Sequence, residues 1–297
     1  MLKTLFATVL LAYATTAAAL PFGSRYALVI DEDTGKVLLE KDADRVTPIA
    51  SLTKLMTAMV VLDSKPDMEE PINIEQLDVD IIKHSTSHVP VGVTLPRKTI
   101  LQLALMSSDN RAAASLARTY AGGNAAFAAA VQLKLKALGM THTSIEEPTG
   151  LSSRNTSTAA DLVKMAVAAS KYPDIVRITT DQRDVINIKG RSVEYHNTNR
   201  MIGQKGWNIL LSKTGYTSEA GRCIIMRFQS AGKNIVMVLL DAKASSIRAL
   251  DALNIRRTLD GETAIASAAP RARHARHYVK VDRRTRRHSA PVLVASS

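Results

Sequence analysis

Apolar residues recur along this chain at two spacings, and each change of spacing marks an element. Tyr26 to Asp31 and Lys36 to Glu40 are short apolar-rich runs on either side of Glu32-Asp33-Thr34-Gly35. Turn chemistry at Asp and Gly between such runs predicts a β-hairpin. Pro48 to Asp63, PIASLTKLMTAMVVLD, predicts a helix whose Leu55, Met56, Met59, Val60 and Leu62 run through the core. Pro66 to Pro96 holds four prolines and no clear period, which predicts irregular chain with short strands. Helical spacing returns over Lys98–Met106, Arg111–Tyr120 and Asn124–Leu138, with breaks at Ser107-Ser108-Asp109-Asn110, at Gly122-Gly123 and at Gly139. Ile145 to Asn155 reads as a loop around Pro148, Thr149 and Gly150. Ser157 or Thr158 then caps a helix to about Lys171, with Pro173 beyond it. Asn208–Leu211, Arg222–Phe228 and Ile235–Leu240 are strand-like, Ala231-Gly232-Lys233 turns between the last two, and Ser245–Leu259 closes the pattern as a helix. This order predicts an α/β protein of the α+β kind: strands from both chain ends pair in one largely antiparallel sheet, and helices cover it. No repeat period is visible.

Composition changes the picture at the two ends. The chain has 297 residues, 46% of them hydrophobic, enough to bury a substantial core. Residues 1–19 stand apart as a signal peptide: Lys3 supplies the positive region, Leu5 to Ala14 the apolar stretch and Ala17-Ala18-Ala19 the cleavage site. The apolar stretch is too short to span a bilayer, so the expected destination is the periplasm. The main domain is then 20–261, followed by a basic tail, 262–297. Of the formal net charge of +12, most falls between Arg271 and His288, where eight Lys/Arg face the one acid Asp282. The tail is expected to be a disordered, solvated extension, or to make weak contact with an anionic surface. Nucleic acid is not an expected partner, because export removes the protein from it. Cys223 is alone within the strand-like RCIIMRF and reads as an inert core thiol. His84 and His88 lie among loop residues, and no Cys/His cluster has zinc-ligand spacing, so neither metal nor cofactor is expected.

The chemistry-bearing pattern is a serine and a lysine three apart, Ser51 and Lys54, at the start of the apolar helix. On one helical face the hydroxyl and amine project side by side. Partial desolvation favours a neutral amine, which can take the serine's proton. The same spacing recurs at Ser230 and Lys233, but at a hairpin turn where no helical face is shared. S-x-N also occurs twice, at Ser108-Asp109-Asn110 and Ser153-Arg154-Asn155, and Lys213-Thr214-Gly215 follows a strand. There Gly215 would let a substrate backbone approach closely. Each element alone is weak. S-x-x-K, S-D-N and K-T-G in this order are the combination of penicillin-binding proteins and class A β-lactamases.

Ser51-Leu52-Thr53-Lys54, Ser108-Asp109-Asn110 and Lys213-Thr214-Gly215 resemble the signatures of the serine D-alanyl-D-alanine peptidases among the low-molecular-mass penicillin-binding proteins. PIASLTKLMTAMVVLD, LALMSSDNRAAASLA, EPTGLSSRNTSTAADL and KTGYTSEAGRC extend the resemblance, towards the penicillin-binding protein 7 type of D-alanyl-D-alanine endopeptidase, from about Tyr26 to Leu259. The resemblance implies a β-lactamase/transpeptidase-like fold with an all-helical subdomain beside the sheet. It implies Ser51 as acylated nucleophile, Lys54 as its base and Ser108 as proton relay. Asn110 would contact the substrate amide, Lys213 and Thr214 would hold a terminal carboxylate, and backbone N–H groups of Ser51 and Tyr216 would form the oxyanion hole. Peptidoglycan peptides would be substrates and β-lactams covalent inhibitors. A D,D-carboxypeptidase shares every one of these residues and is the alternative activity. A catalytically idle wall-binding protein is the alternative class, one with no need of the complete triple. Glu147 invites comparison with the class A deacylating glutamate, but Glu147-Pro148-Thr149-Gly150-Leu151 departs from E-x-x-L-N, which favours a structural carboxylate.

Overall fold

The computed structural model describes residues 22–262. The signal-peptide reading of 1–19 and nearly all of the basic tail lie outside them. In chain order the elements are β1 (Tyr26–Asp31), β2 (Val37–Lys41), β3 (Thr47–Pro48), α1 (Thr53–Asp63), β4 (Pro71–Asn73), β5 (Thr94–Pro96), α2 (Arg97–Met106), α3 (Asn110–Arg118), α4 (Gly123–Ala137), β6 (Thr156–Ser157), α5 (Ala159–Ala169), α6 (Pro173–Thr180), β7 (Arg183–Ile188), β8 (Arg191–His196), β9 (Asn208–Thr217), β10 (Gly221–Ser230), β11 (Lys233–Ala242) and α7 (Ser245–Leu259).

The main sheet has the order β2-β1-β11-β10-β9 and is antiparallel throughout. The two chain ends meet in it as expected, Tyr26 opposite Leu240 and Asp31 opposite Ile235. Because side chains alternate across a strand, each central strand feeds two cores. Val236, Val238 and Leu240 of β11 face the core shared with α1, α2, α3 and α5, while Ile235, Met237 and Leu239 face the one beneath Ala252 and Ile255 of α7. Helix α1 is buried from Thr53 to Val61 without a break, as a helix apolar on all sides must be.

Three features depart from the sequence pattern. Pro173 does lie beyond the helix before it, α5, but it also opens α6, a helix to which no residues were assigned; at that position its missing N–H costs nothing and its fixed φ suits the helix. The β7–β8 hairpin occupies a stretch to which no element was assigned, turning at Lys189 and Gly190, both with positive φ. Strand β9 does not stop at Leu211 but carries Lys213-Thr214-Gly215 within it.

A carboxylate ties the segment before β1 to α7. Asp251 of α7 accepts hydrogen bonds from Gly23 N (3.0 Å), Ser24 N (2.6 Å) and Ser24 Oγ (2.7 Å), all but the first fully buried. Asp251→Ala leaves two buried donors unmatched and is expected to lower unfolding stability by about 2–3 kcal/mol, measured by urea denaturation. Asp251→Asn should lose less.

Candidate active site

Ser51 lies not within α1 but in the 3₁₀ turn Ala50–Leu52 before it. Side chains three apart eclipse one another in such a turn, and Lys54 Nζ stands 2.8 Å from Ser51 Oγ. The turn is held from several sides. Ile49 N donates to Asn155 O (3.0 Å), Thr53 Oγ1 donates to Ala50 O (2.8 Å), and Ala50 takes a φ of 48°. Two glycines press on the backbone here. A Cβ at Gly150, whose φ is +87°, would lie 1.9 Å from Ala50 O, and one at Gly215 would lie 3.1 Å from Ser51 N. What approaches Gly215 closely in this structure is therefore the serine turn itself.

Lys54 is completely buried. Besides Ser51 its amine meets Asn110 Oδ1 at 2.7 Å and Thr149 O at 2.6 Å. Burial pushes its pKa down to about 8, opposed by the charges of Glu147, Asp109 and Asp80. A neutral amine can give its two N–H groups to Asn110 and Thr149 and turn its lone pair to the serine hydroxyl. That is the arrangement a general base requires.

A second serine–lysine pair faces the first. Ser108 sits between α2 and α3 with a φ of 61°. Ser107 Oγ bonds back to Leu103 O (2.8 Å) at the end of α2, and Asp109 caps α3 by accepting from Ala112 N (2.9 Å), so the strained residue is fixed from both sides. Lys213 Nζ reaches Ser108 Oγ at 2.8 Å and Thr214 O at 2.9 Å. It too is buried, and desolvation, then the charges of Lys54 and Arg248, hold its pKa well below the ordinary lysine value. Thr214 Oγ1 donates to Thr198 Oγ1 (2.7 Å). Tyr216, 53% exposed, lies under the guanidinium of Arg222, 3.4 Å from its ring centre.

The rival motifs have other work. Ser230 and Lys233 are cross-strand partners at the β10–β11 turn and bond to Asp260 and Asp31 respectively. Asn155 of the second S-x-N is buried and organises the 145–155 loop: its Oδ1 accepts from Glu146 N (2.9 Å) and its Nδ2 donates to Glu147 O (2.8 Å) and Thr53 Oγ1 (3.2 Å). Glu147 accepts from Thr149 N (2.7 Å), Thr149 Oγ1 (2.5 Å) and Gly150 N (2.6 Å), which makes it the structural carboxylate its sequence context favoured. Sequence reasoning missed the Thr149 carbonyl, since any residue supplies one, and Ser85, whose Oγ accepts from Asn110 Nδ2 at 2.8 Å. Cys223 is buried, and burial pushes its thiol up to about 12. His84 and His88 are exposed, and no group of three potential metal ligands occurs among the described residues.

An amine facing a serine, on a core helix beside a sheet edge, places the molecule among the active-serine peptidases. The sequence profile of D-alanyl-D-alanine carboxypeptidases matches residues 13–244, and the chain belongs to that family. D-alanyl-D-alanine endopeptidases of Pseudomonas aeruginosa and Escherichia coli are 44% and 41% identical to it, covering 91% and 82% of this chain and 90% and 80% of their own. Among solved structures, a Streptomyces DD-transpeptidase shares the fold with a TM-score of 0.73 at 24% identity, over 78% of this chain and 95% of its own. A Listeria monocytogenes penicillin-binding protein, in its cefotaxime-bound form, gives a TM-score of 0.69 at 27% identity, over 82% and 99%. The chain is a serine D,D-peptidase.

Two outcomes follow from this geometry. Gly150→Ala forces a Cβ into the Ala50 carbonyl at a positive φ, so it should cost about 1–3 kcal/mol or displace the serine turn, read as slower acylation by a fluorescent penicillin together with a lower melting temperature. A lysine base acts only when neutral, so with Lys54 in that role the second-order rate constant of acylation should rise with pH to a plateau above about 8. Glu147→Gln removes a charge that favours the ammonium, and the acid limb should move to lower pH.

Proposed function

We propose that the chain is a D-alanyl-D-alanine endopeptidase acting on peptidoglycan cross-links in the periplasm. The observation that carries the chemistry is the 2.8 Å approach of the buried Lys54 amine to Ser51 Oγ. Lys54 takes the hydroxyl proton as Ser51 Oγ attacks the carbonyl of the D-alanine on the acyl side. The oxyanion forms against the backbone N–H groups of Ser51 and Tyr216. As the tetrahedral adduct collapses, the C–N bond breaks, and the proton held by Lys54 passes through Ser108 to the departing amine. Water then hydrolyses the ester and regenerates Ser51. Asn110 contacts the substrate amide, Lys213 and Thr214 hold a substrate carboxylate, and Gly215 brings β9 against the serine turn.

Lys213 suits its part because its two present acceptors are neutral. A carboxylate arriving beside it supplies the opposite charge that burial has withheld. Relatives named endopeptidases at 44% and 41% identity support the choice of bond over relatives named carboxypeptidases, at 28% or less. β-Lactams, as cyclic acyl donors, would stop at the first stage as covalent inhibitors.

Incubation with purified cross-linked dimers and with monomeric pentapeptides separates the two activities. Dimer cleavage, abolished in Ser51→Ala together with penicillin labelling, is the expected result. Release of D-alanine from pentapeptides with dimers left intact would establish the carboxypeptidase instead.

A further inference from the structure

Between β4 and β5 the chain makes a strap, residues 80–88, that the chemistry above does not use. Asp80 gathers its backbone by accepting from the N–H groups of Ile82 (2.7 Å), Lys83 (3.0 Å) and Ser85 (2.8 Å). The strap is tied down at both ends. Lys83 forms an ion pair with Glu219 in the β9–β10 turn, Ser87 Oγ donates to Asp109 Oδ2 (2.8 Å), and Tyr195 OH donates to His88 O (3.1 Å). At its middle, Ser85 Oγ receives Asn110 Nδ2 at 2.8 Å, while Asn110 Oδ1 receives Lys54 Nζ at 2.7 Å.

The two ends of an asparagine amide have nearly the same shape, so hydrogen-bond partners decide which end points where. Lys54 needs an acceptor from Asn110. An amide turned the other way would set N–H groups against a lysine that must also donate to Thr149. Ser85 is the partner that occupies Asn110 Nδ2.

We infer that Ser85 is a positioning residue for the lysine base, acting through Asn110 to keep the amide oxygen on Lys54, with the Lys83–Glu219 pair holding the strap to the β9–β10 turn. This rests on the reading of Lys54 as the base that activates Ser51.

The charged groups that face Lys54 are Glu147 from the 145–155 loop, Asp109 from the α3 cap, Asp80 from the strap and Lys213 from β9. Ser85→Ala leaves all four charges in place, but the Ser85 hydroxyl also hydrogen-bonds the Asp80 carboxylate, so the shift is read again in an Asp80→Asn background, where any movement of the pH profile reports on the amide. An oxygen facing Lys54 favours the ammonium, and a nitrogen facing it favours the neutral amine. Loss of the hydroxyl should therefore move the acid limb of acylation to lower pH, even as the plateau falls because the base is weaker and less firmly held.

The test is the second-order rate constant for acylation by a fluorescent penicillin from pH 5 to 9, with melting temperatures as a control on folding. Ser85→Ala should lower the plateau about tenfold, the scale of one hydrogen bond, and shift the limb downwards, while Ser85→Thr restores both. Lys83→Met, which frees the strap without touching Asn110, should shift the limb the same way by less. A Ser85→Ala profile that superimposes on the wild type, or falls with its limb unmoved, overturns the inference; so does a Thr variant no better than Ala. An unmoved limb in Lys83→Met removes the part assigned to the ion pair. Wild-type protein that takes no label at all would instead sink the acyl-enzyme reading, a separate result.

Discussion

Everything in the site depends on keeping two lysine amines out of water within reach of two serines. A buried ammonium without a counter-ion is costly, and a protein holding one lowers its pKa. Here all the acceptors that Lys54 and Lys213 meet among the described residues are neutral: two hydroxyls, two backbone carbonyls and an asparagine oxygen. The carboxylates that act on Lys54 do so without a hydrogen bond to it. The balance leaves Lys54 near 8, low enough to be a base and high enough to return its proton. One carboxylate in direct contact would restore a permanent ammonium. The neutrality of that shell is thus the condition for the chemistry.

Meeting the condition dictates the architecture. Lys54 can be fully buried only because α1 is surrounded, and the turn before it holds its nucleophile because close backbone contacts and the Thr53 hydroxyl pin it. Glycine at 150 and at 215 is the consequence, since the loop meets that turn at a distance no Cβ tolerates and the strand at one that leaves a Cβ crowded. Lys213 is buried although β9 ends the sheet, because Ser108 and the segment around Thr198 cover that edge. An edge strand so covered is shielded from unwanted pairing with another chain.

Much of this was legible in the residues. Period-two and helical spacing placed the sheet strands, α1 and α7, and context alone separated Ser51-Lys54 from Ser230-Lys233. What escaped has physical reasons. Pro173 looks like a terminator, yet a proline is as much at home starting a helix as following one. The hairpin at Lys189-Gly190 turns on a lysine in a left-handed conformation, which residue preferences do not advertise. Ser51 falls in a 3₁₀ turn that shares the i, i+3 spacing of a helix, so the pattern could place the hydroxyl near the amine without giving the turn. The Thr149 carbonyl and the Ser85 hydroxyl are legible only in three dimensions, because their roles come from where a loop passes and not from a motif.

Glu147 shows how far the same reasoning separates this site from a β-lactamase. A carboxylate offers about four lone-pair positions. Those of Glu147 receive Thr149 N and Oγ1 on one oxygen, and Gly150 N, Ser152 N and Asn155 Nδ2 on the other. With five donors already placed, no lone pair is left to take a proton from a water. The carboxylate instead fixes the loop that offers the Thr149 carbonyl to Lys54 and presses Gly150 against the serine turn. Its negative charge still reaches the amine through the protein and favours the ammonium. The contacts of Glu147 are thus those of a carboxylate that shapes and charges the surroundings of Lys54, not those of one left free to activate water.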